Sequence, residues 1–382
     1  MSRNQLLSKW IANNPIARKN PSEAMSAGCL LMLGLEGVQL TPQEAARFRR
    51  LQPAGYILFS RNIESAAQTR RLTDDLRELN IGDPPIIAID QEGGRVTRTR
   101  AIAPQCPSAA ALGAHGNMGL IADAGAFTAD LIRLLGFNLN FAPVLDIDHF
   151  PEKSNALRGR CWSSETQRVI DYAGHWNRWQ RKRHLAGCGK HFPAGGLARS
   201  DPHHELPQAD ASIEDLLRAD VLPYTALMPE LDAIMVAHVE FPRIDPKLPA
   251  SLSPRIIRDF LRCQLGFDHH LVLTDDLDMS AITKRFGRGE DAKLAIQAGN
   301  DIALICHQTE SAELAAKAIA ELPHATIDDA LQRIEHFRRN KLYGPLLWSD
   351  AQWHKTCEAI EAIHKQLPHE DAGPTQSPVE DY

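Results

Sequence analysis

At 382 residues the chain exceeds one small domain and suits a barrel of alternating strands and helices with some additions. With 43% hydrophobic and 24% charged residues it is neither disordered nor fibrous, and it has apolar material for a sizeable core. Lys and Arg number 42 against 48 Asp and Glu, which excludes the basic excess of a nucleic-acid binder.

Residues 1–24 scatter charges and Asn and contain no apolar run long enough for a secretory signal, so they read as an N-terminal extension. No later stretch approaches the roughly 18 uninterrupted apolar residues of a membrane helix. The seven cysteines, at 29, 106, 161, 188, 263, 306 and 357, form no C-x-x-C pair and no zinc-ribbon spacing. A soluble, cytoplasmic, monomeric protein with reduced thiols is expected, without nucleic-acid or membrane partners.

From residue 25 onward, short apolar runs alternate with longer amphipathic ones. The runs at 27–35, 54–59, 85–90, 138–144, 186–191, 233–238, 270–275 and 301–306 predict eight strands. They are near-continuously apolar, as strands covered on both faces are. Helices are predicted over 41–50, 65–79, 121–135, 165–182, 212–228, 254–265, 290–298 and 311–322. Two of them open on cap signals, Thr41-Pro42-Gln43-Glu44 and Ser212-Ile213-Glu214-Asp215. Eight strands, each followed by a helix, predict an α/β fold, a (β/α)8 TIM barrel forming a single catalytic domain over residues 25–322. An open doubly wound sheet is disfavoured because no G-x-G-x-x-G turn follows a strand. Residues 323–367 predict extra C-terminal helices packed on the barrel, and 368–382 an acidic, disordered tail.

In such barrels the reacting groups sit at the carboxyl ends of the strands. Here the third run ends in Asp90-Gln91-Glu92-Gly93-Gly94-Arg95, with Arg98 beyond, and the fourth in Asp146 and Asp148, with Arg160 in the next loop. The fifth ends in Lys190-His191, the sixth in His238 and Glu240, and the seventh in Thr274-Asp275-Asp276. Polar groups therefore gather at one mouth. Gly93-Gly94 reads as a turn, Asp276 as a helix cap, and His204, His269 and His270 as exposed loop histidines. The set is too rich in Arg and Lys for a cation, so neither a metal nor a cofactor is expected. Asp275, ending a fully apolar strand inside this polar face, reads as functional.

Five segments carry a resemblance: IDQEGGRVTR (89–98), FAPVLDID (141–148), KHFPAGGLARSDPHHELP (190–207), VAHVEFPRID (236–245) and LGFDHHLVLTDDLDM (265–279). In this order they resemble the successive signatures of glycoside hydrolase family 3, in particular its single-domain bacterial β-N-acetylhexosaminidases. The resemblance implies that Asp275 is the nucleophile and that Asp201 and His203 form the acid–base dyad. It also implies that Asp90, Arg98, Arg160, Lys190, His191 and Met279 line the sugar site. The implied substrate is a small glycoside with terminal N-acetylglucosamine, derived from muropeptides in cell-wall recycling. The alternatives are phosphorolysis at the same site and a sugar-binding barrel without turnover.

The residues suit those parts. A carboxylate beneath the anomeric carbon can form a covalent glycosyl intermediate. An imidazole exchanges a proton near neutral pH, and a carboxylate beside it can orient the ring. The loop at 194–203, with Gly195 and Gly196, is expected to move and deliver His203. It departs from the family pattern at Ala194-Gly195 and Pro202, and Leu157 to Trp162 differ from the pattern around Arg160.

Overall fold

The computed structural model describes residues 27–152, 155–198 and 206–367. Its centre is a closed parallel barrel of eight strands: β1 (Leu31–Leu33), β2 (Gly55–Leu58), β3 (Ile86–Ile89), β6 (Leu139–Asn140), β7 (Ala186–Phe192), β8 (Ala233–Val236), β9 (Leu271–Asp276) and β10 (Ile302–Ile305). Each pairs with its predecessor in this order, and β1 closes on β10 through Leu31 opposite Ala303. All eight coincide with the apolar runs of the sequence. Parallel strands sandwiched between barrel interior and helices bury both faces, which is why their runs lack period-two alternation. The fold is a (β/α)8 TIM barrel.

The helical ring follows the amphipathic segments. Helix α1 (Pro42–Leu51) carries the predicted cap: Thr41 Oγ1 accepts from the Glu44 backbone N–H at 3.1 Å, and Glu44 returns a bond to the Thr41 N–H at 2.9 Å. The amphipathic helices Ala66–Leu79, Met118–Leu134 and Thr166–Lys182 follow within three residues of their predicted starts.

Two expectations change, and one hairpin is added around the expected Gly93-Gly94 turn. The single helix at 212–228 is two short ones, Ile213–Arg218 and Leu222–Leu227. Pro223 explains the break, because it supplies no N–H and its ring crowds the preceding turn. The segment Gln91–Gly93 (β4) pairs antiparallel with Val96–Thr97 (β5), a hairpin above β3 turned by Gly93 and Gly94 at φ +99° and +55°. Asp276 caps no helix. Its Oδ1 accepts from the backbone N–H groups of Asp278 (3.0 Å) and Cys306 (3.2 Å), tying the end of β9 to that of β10.

Beyond the eighth strand and its helix, His324–Lys341 buries Ile327, Ile334 and Phe337 in the cluster that holds β1, β2 and β10. Asp350–His364 packs along Met118–Leu134, and its last residue reaches the Gln105 carbonyl near the hairpin. The N-terminal extension and the acidic tail lie outside the described residues. Among those described, no helix is long and apolar enough to cross a membrane.

Candidate active site

A cavity with about 910 Å³ of empty space, its open mouth included, occupies the carboxyl end of the barrel. Its lining includes Asp90, Arg98, Arg160, Lys190, His191, Asp275 and Met279, seven of the nine residues singled out in the sequence. The other two, Asp201 and His203, lie outside the described residues. Four of the charged or titratable groups are placed by strand ends. Asp90 directly follows β3, Lys190 and His191 lie in β7, and Asp275 lies in β9. The hairpin folds back so that Arg98 and Glu92 join Asp90, with Gln91 pinned by its N–H to Asn140 Oδ1 at 3.0 Å.

The charges form one connected array. Lys190 Nζ lies 2.7 Å from Asp90 Oδ1 and 2.6 Å from Glu92 Oε1. Arg98 Nη2 meets Asp90 Oδ2 at 3.2 Å, and its guanidinium also lies over the Phe59 ring at 5.2 Å. Arg160 grips Glu92 with two parallel bonds of 2.8 Å, and its Nη2 lies 3.4 Å from His191 Nε2. His191 donates Nδ1–H to Asp146 Oδ2 at 2.7 Å, which turns Nε2 toward Arg160.

Electrostatics follow from this geometry. Burial alone would raise the Asp90 carboxyl, but Lys190 and Arg98 overcome it and hold it below the ordinary carboxylate range. Glu92 is likewise depressed against burial by Arg160 and Lys190. Lys190 stays cationic because Asp90 and Glu92 outweigh its desolvation. In the array three cations, Arg98, Arg160 and Lys190, face two carboxylates, Asp90 and Glu92. The surplus positive charge favours a further anion nearby. Asp275 occupies that place: burial opposes its ionisation, yet His191, His238, the Asp276 N–H at 2.8 Å and Lys190 hold it below the usual range. Its side chain is only partly buried, at the edge of the cavity.

His238 braces the end of β9 from the side. Its Nε2–H donates to the Asp276 carbonyl at 2.9 Å, and Nδ1 accepts from Ser251 Oγ at 2.6 Å. Asp276 itself is pushed up, first by burial and then by the charge of Asp278. Three contributors had no part assigned from sequence: Glu92, Asp146 and His238. Glu92 stands two residues after Asp90 in a strand-like stretch, where alternation already puts both on one face. Asp146 and His238 were legible as polar strand ends, but nothing local assigns their parts, since their partners are 45 and 13 residues away. Of the loop histidines, His269 is exposed, whereas His270 is half-buried with Nε2 on the Met228 carbonyl at 3.0 Å. Among the described residues no group of three or more His, Cys, Asp or Glu is placed to hold a metal ion.

Comparison with known proteins shows the family. Residues 29–337 match the family described as Glycosyl hydrolase family 3 N terminal domain. A protein named Beta-hexosaminidase from Pseudomonas aeruginosa is 35% identical over 305 residues, covering 80% of this chain and 90% of its own. Another of the same name from Thioalkalivibrio sulfidiphilus is 34% identical over 342 residues, 87% of this chain and 96% of its own. Among solved structures, the family 3 β-N-acetylglucosaminidase of Paenibacillus sp. str. FPU-7 superposes with a TM-score of 0.82 at 32% identity, covering 90% of this chain and 68% of that one. NagZ from Neisseria gonorrhoeae, solved with N-trifluoroacetyl-D-glucosamine, gives 0.76 at 27% identity, covering 88% and 96%. A family match over residues 29–337, with a relative 35% identical over 80% of the chain, establishes that this chain is a glycoside hydrolase belonging to family 3.

Proposed function

We propose that the chain is a retaining β-N-acetylhexosaminidase that removes terminal N-acetylglucosamine from small glycosides, with muropeptide fragments in the cytoplasm as substrates and cell-wall recycling as its setting. The observation that carries the chemistry is Asp275, an accessible carboxylate kept ionised at the end of β9 beside an array of hydroxyl-binding groups. The sugar preference is supported by the curated relatives' name and by the sugar in the NagZ structure.

The pieces form a double displacement. Asp90, Arg98, Lys190, His191 and Arg160 hold ring hydroxyls through charge-assisted bonds, and Met279 supplies an apolar wall. The Asp275 carboxylate attacks the anomeric carbon as the glycosidic C–O bond breaks, and the His203 imidazolium gives its proton to the leaving oxygen. Asp201 orients the imidazole and stabilises its charged form. Water then adds to the same carbon, passes a proton to the imidazole and releases Asp275, so configuration is retained.

The test is a panel of chromogenic glycosides. Asp275→Asn is expected to lower kcat by about 10³-fold or more, with KM changed far less. A mechanism-based fluorosugar should label Asp275. Because the carboxyl is held below its ordinary value, the acid limb of kcat/KM should fall below about pH 4. Labelling of another side chain, or full turnover by Asp275→Asn, would refute the assignment. A sugar 1-phosphate formed when inorganic phosphate is present would replace hydrolysis by phosphorolysis.

A further inference from the structure

Asp146 lies behind the cavity wall, with its side chain 1% exposed, and takes no part in the chemistry described above. Three N–H groups converge on its two oxygens. Oδ2 accepts from His191 Nδ1 at 2.7 Å and from the His191 backbone at 3.1 Å. Oδ1 accepts from the backbone N–H of Gly196 at 3.0 Å. The Gly196 contact matters because Gly195–Leu197 is the root of the loop that runs on to Asp201 and His203. That root is pressed onto the segment after β6: a Cβ at Gly195 would lie 3.0 Å from Asp146 Oδ1, and one at Gly196 only 2.2 Å from the Ile147 carbonyl. Glycine is what permits the approach.

From this geometry we infer that Asp146 is a positioning residue that sets both halves of the active site at once. One oxygen fixes the ring and tautomer of the sugar-binding His191, and the other anchors the root of the acid–base loop. The inference rests on the assignment of Asp275, Asp201 and His203 proposed above. Its physical basis is acceptor capacity. A carboxylate accepts on both oxygens, whereas an amide accepts on one and presents N–H groups on the other side. At nearly unchanged volume, Asp146→Asn must therefore give up either the Gly196 N–H or the His191 backbone N–H together with the ring's tautomer.

The experiment measures kcat and KM on a chromogenic β-N-acetylglucosaminide for the wild type, Asp146→Asn, His191→Ala, the double variant and Asp275→Asn. Amide hydrogen exchange of residues 194–206 is followed alongside. Asp146→Asn is expected to lower kcat about tenfold or more, to raise KM severalfold, and to speed exchange in the loop while barrel strands exchange as before. In the His191→Ala background it should still lower kcat, through the loop, but no longer raise KM. Wild-type kinetics and exchange in Asp146→Asn would overturn the inference. So would a rate loss that disappears in the His191→Ala background, or one that merely tracks the fraction of folded protein at unchanged KM. Full turnover by Asp275→Asn would instead remove the glycosidase assignment, and this inference with it.

Discussion

Glu92 shows how single buried groups govern this site. It sits between Arg160 and Lys190 with its side chain only 5% exposed, so removing its charge leaves two cations short of a partner. Breaking one member of a buried ionic cluster costs about 3–5 kcal/mol, and Glu92→Gln is expected to fall in that range at pH 7. The pH dependence has a definite sign. The Glu92 carboxyl is depressed in the folded state, because Arg160 and Lys190 overcome its burial. Its contribution is therefore complete above the unfolded carboxyl's value of about 4.3 and fades as pH falls toward the lower folded value. Thermal unfolding should show a gap between wild type and Glu92→Gln that is widest near neutrality and narrows below about pH 4.5; a gap that widens in acid would contradict this. At this scale the sequence disclosed identities far better than partnerships. Asp90, Lys190, His191 and Asp275 were legible as strand-end polar residues, and Arg98 and Arg160 as cations just beyond such ends. That Lys190 bridges Asp90 and Glu92 required three strand ends in space.

Secondary-structure elements were legible where the signal is local. The capping box of α1 is an example, since Thr41 and Glu44 are three residues apart and satisfy each other's backbone N–H groups. Thr41→Ala should cost about 1 kcal/mol, read as a lower urea midpoint with an unchanged m-value. Glu44 should be less replaceable than an ordinary cap partner, because its Oε1 also accepts the Glu36 N–H at 2.9 Å and the residue is fully buried. The misses have physical causes as well. The break in 212–228 is dictated by Pro223, a local signal outvoted by a persistent apolar period. The β4–β5 hairpin has three and two residues per strand, too short for any periodicity to register.

At the scale of the molecule, closing the barrel positions the site, and the helix His324–Lys341 helps hold it closed. Arg333 Nε meets Asp301 Oδ1 at 2.6 Å at the base of β10, and Arg338 Nη2 meets the Ala54 carbonyl at 2.6 Å at the base of β2. Arg262 adds a bond of 2.8 Å to the same Asp301. Together with the burial of Ile327, Ile334 and Phe337, these contacts tie the helix to neighbouring barrel strands. A chain ending at residue 322 would forgo five large buried side chains, Ile327, Ile334, Phe337, Ile360 and Ile363, each contributing roughly 1.5–3 kcal/mol. It should unfold at a markedly lower temperature and expose apolar surface to a hydrophobic dye. Unchanged melting would show that the helix is only an ornament on the barrel.

The sequence by itself determined the strand count, the barrel class, the family and the inventory of polar strand ends. Each of these is written in local periodicity or in contiguous motifs. Only the tertiary structure decided which of those groups meet, why Asp275 stays ionised, and how Asp146 and His238 brace the site. Such pairings join residues up to 100 positions apart. They depend on strand order and on loop paths, which no contiguous pattern in the chain encodes.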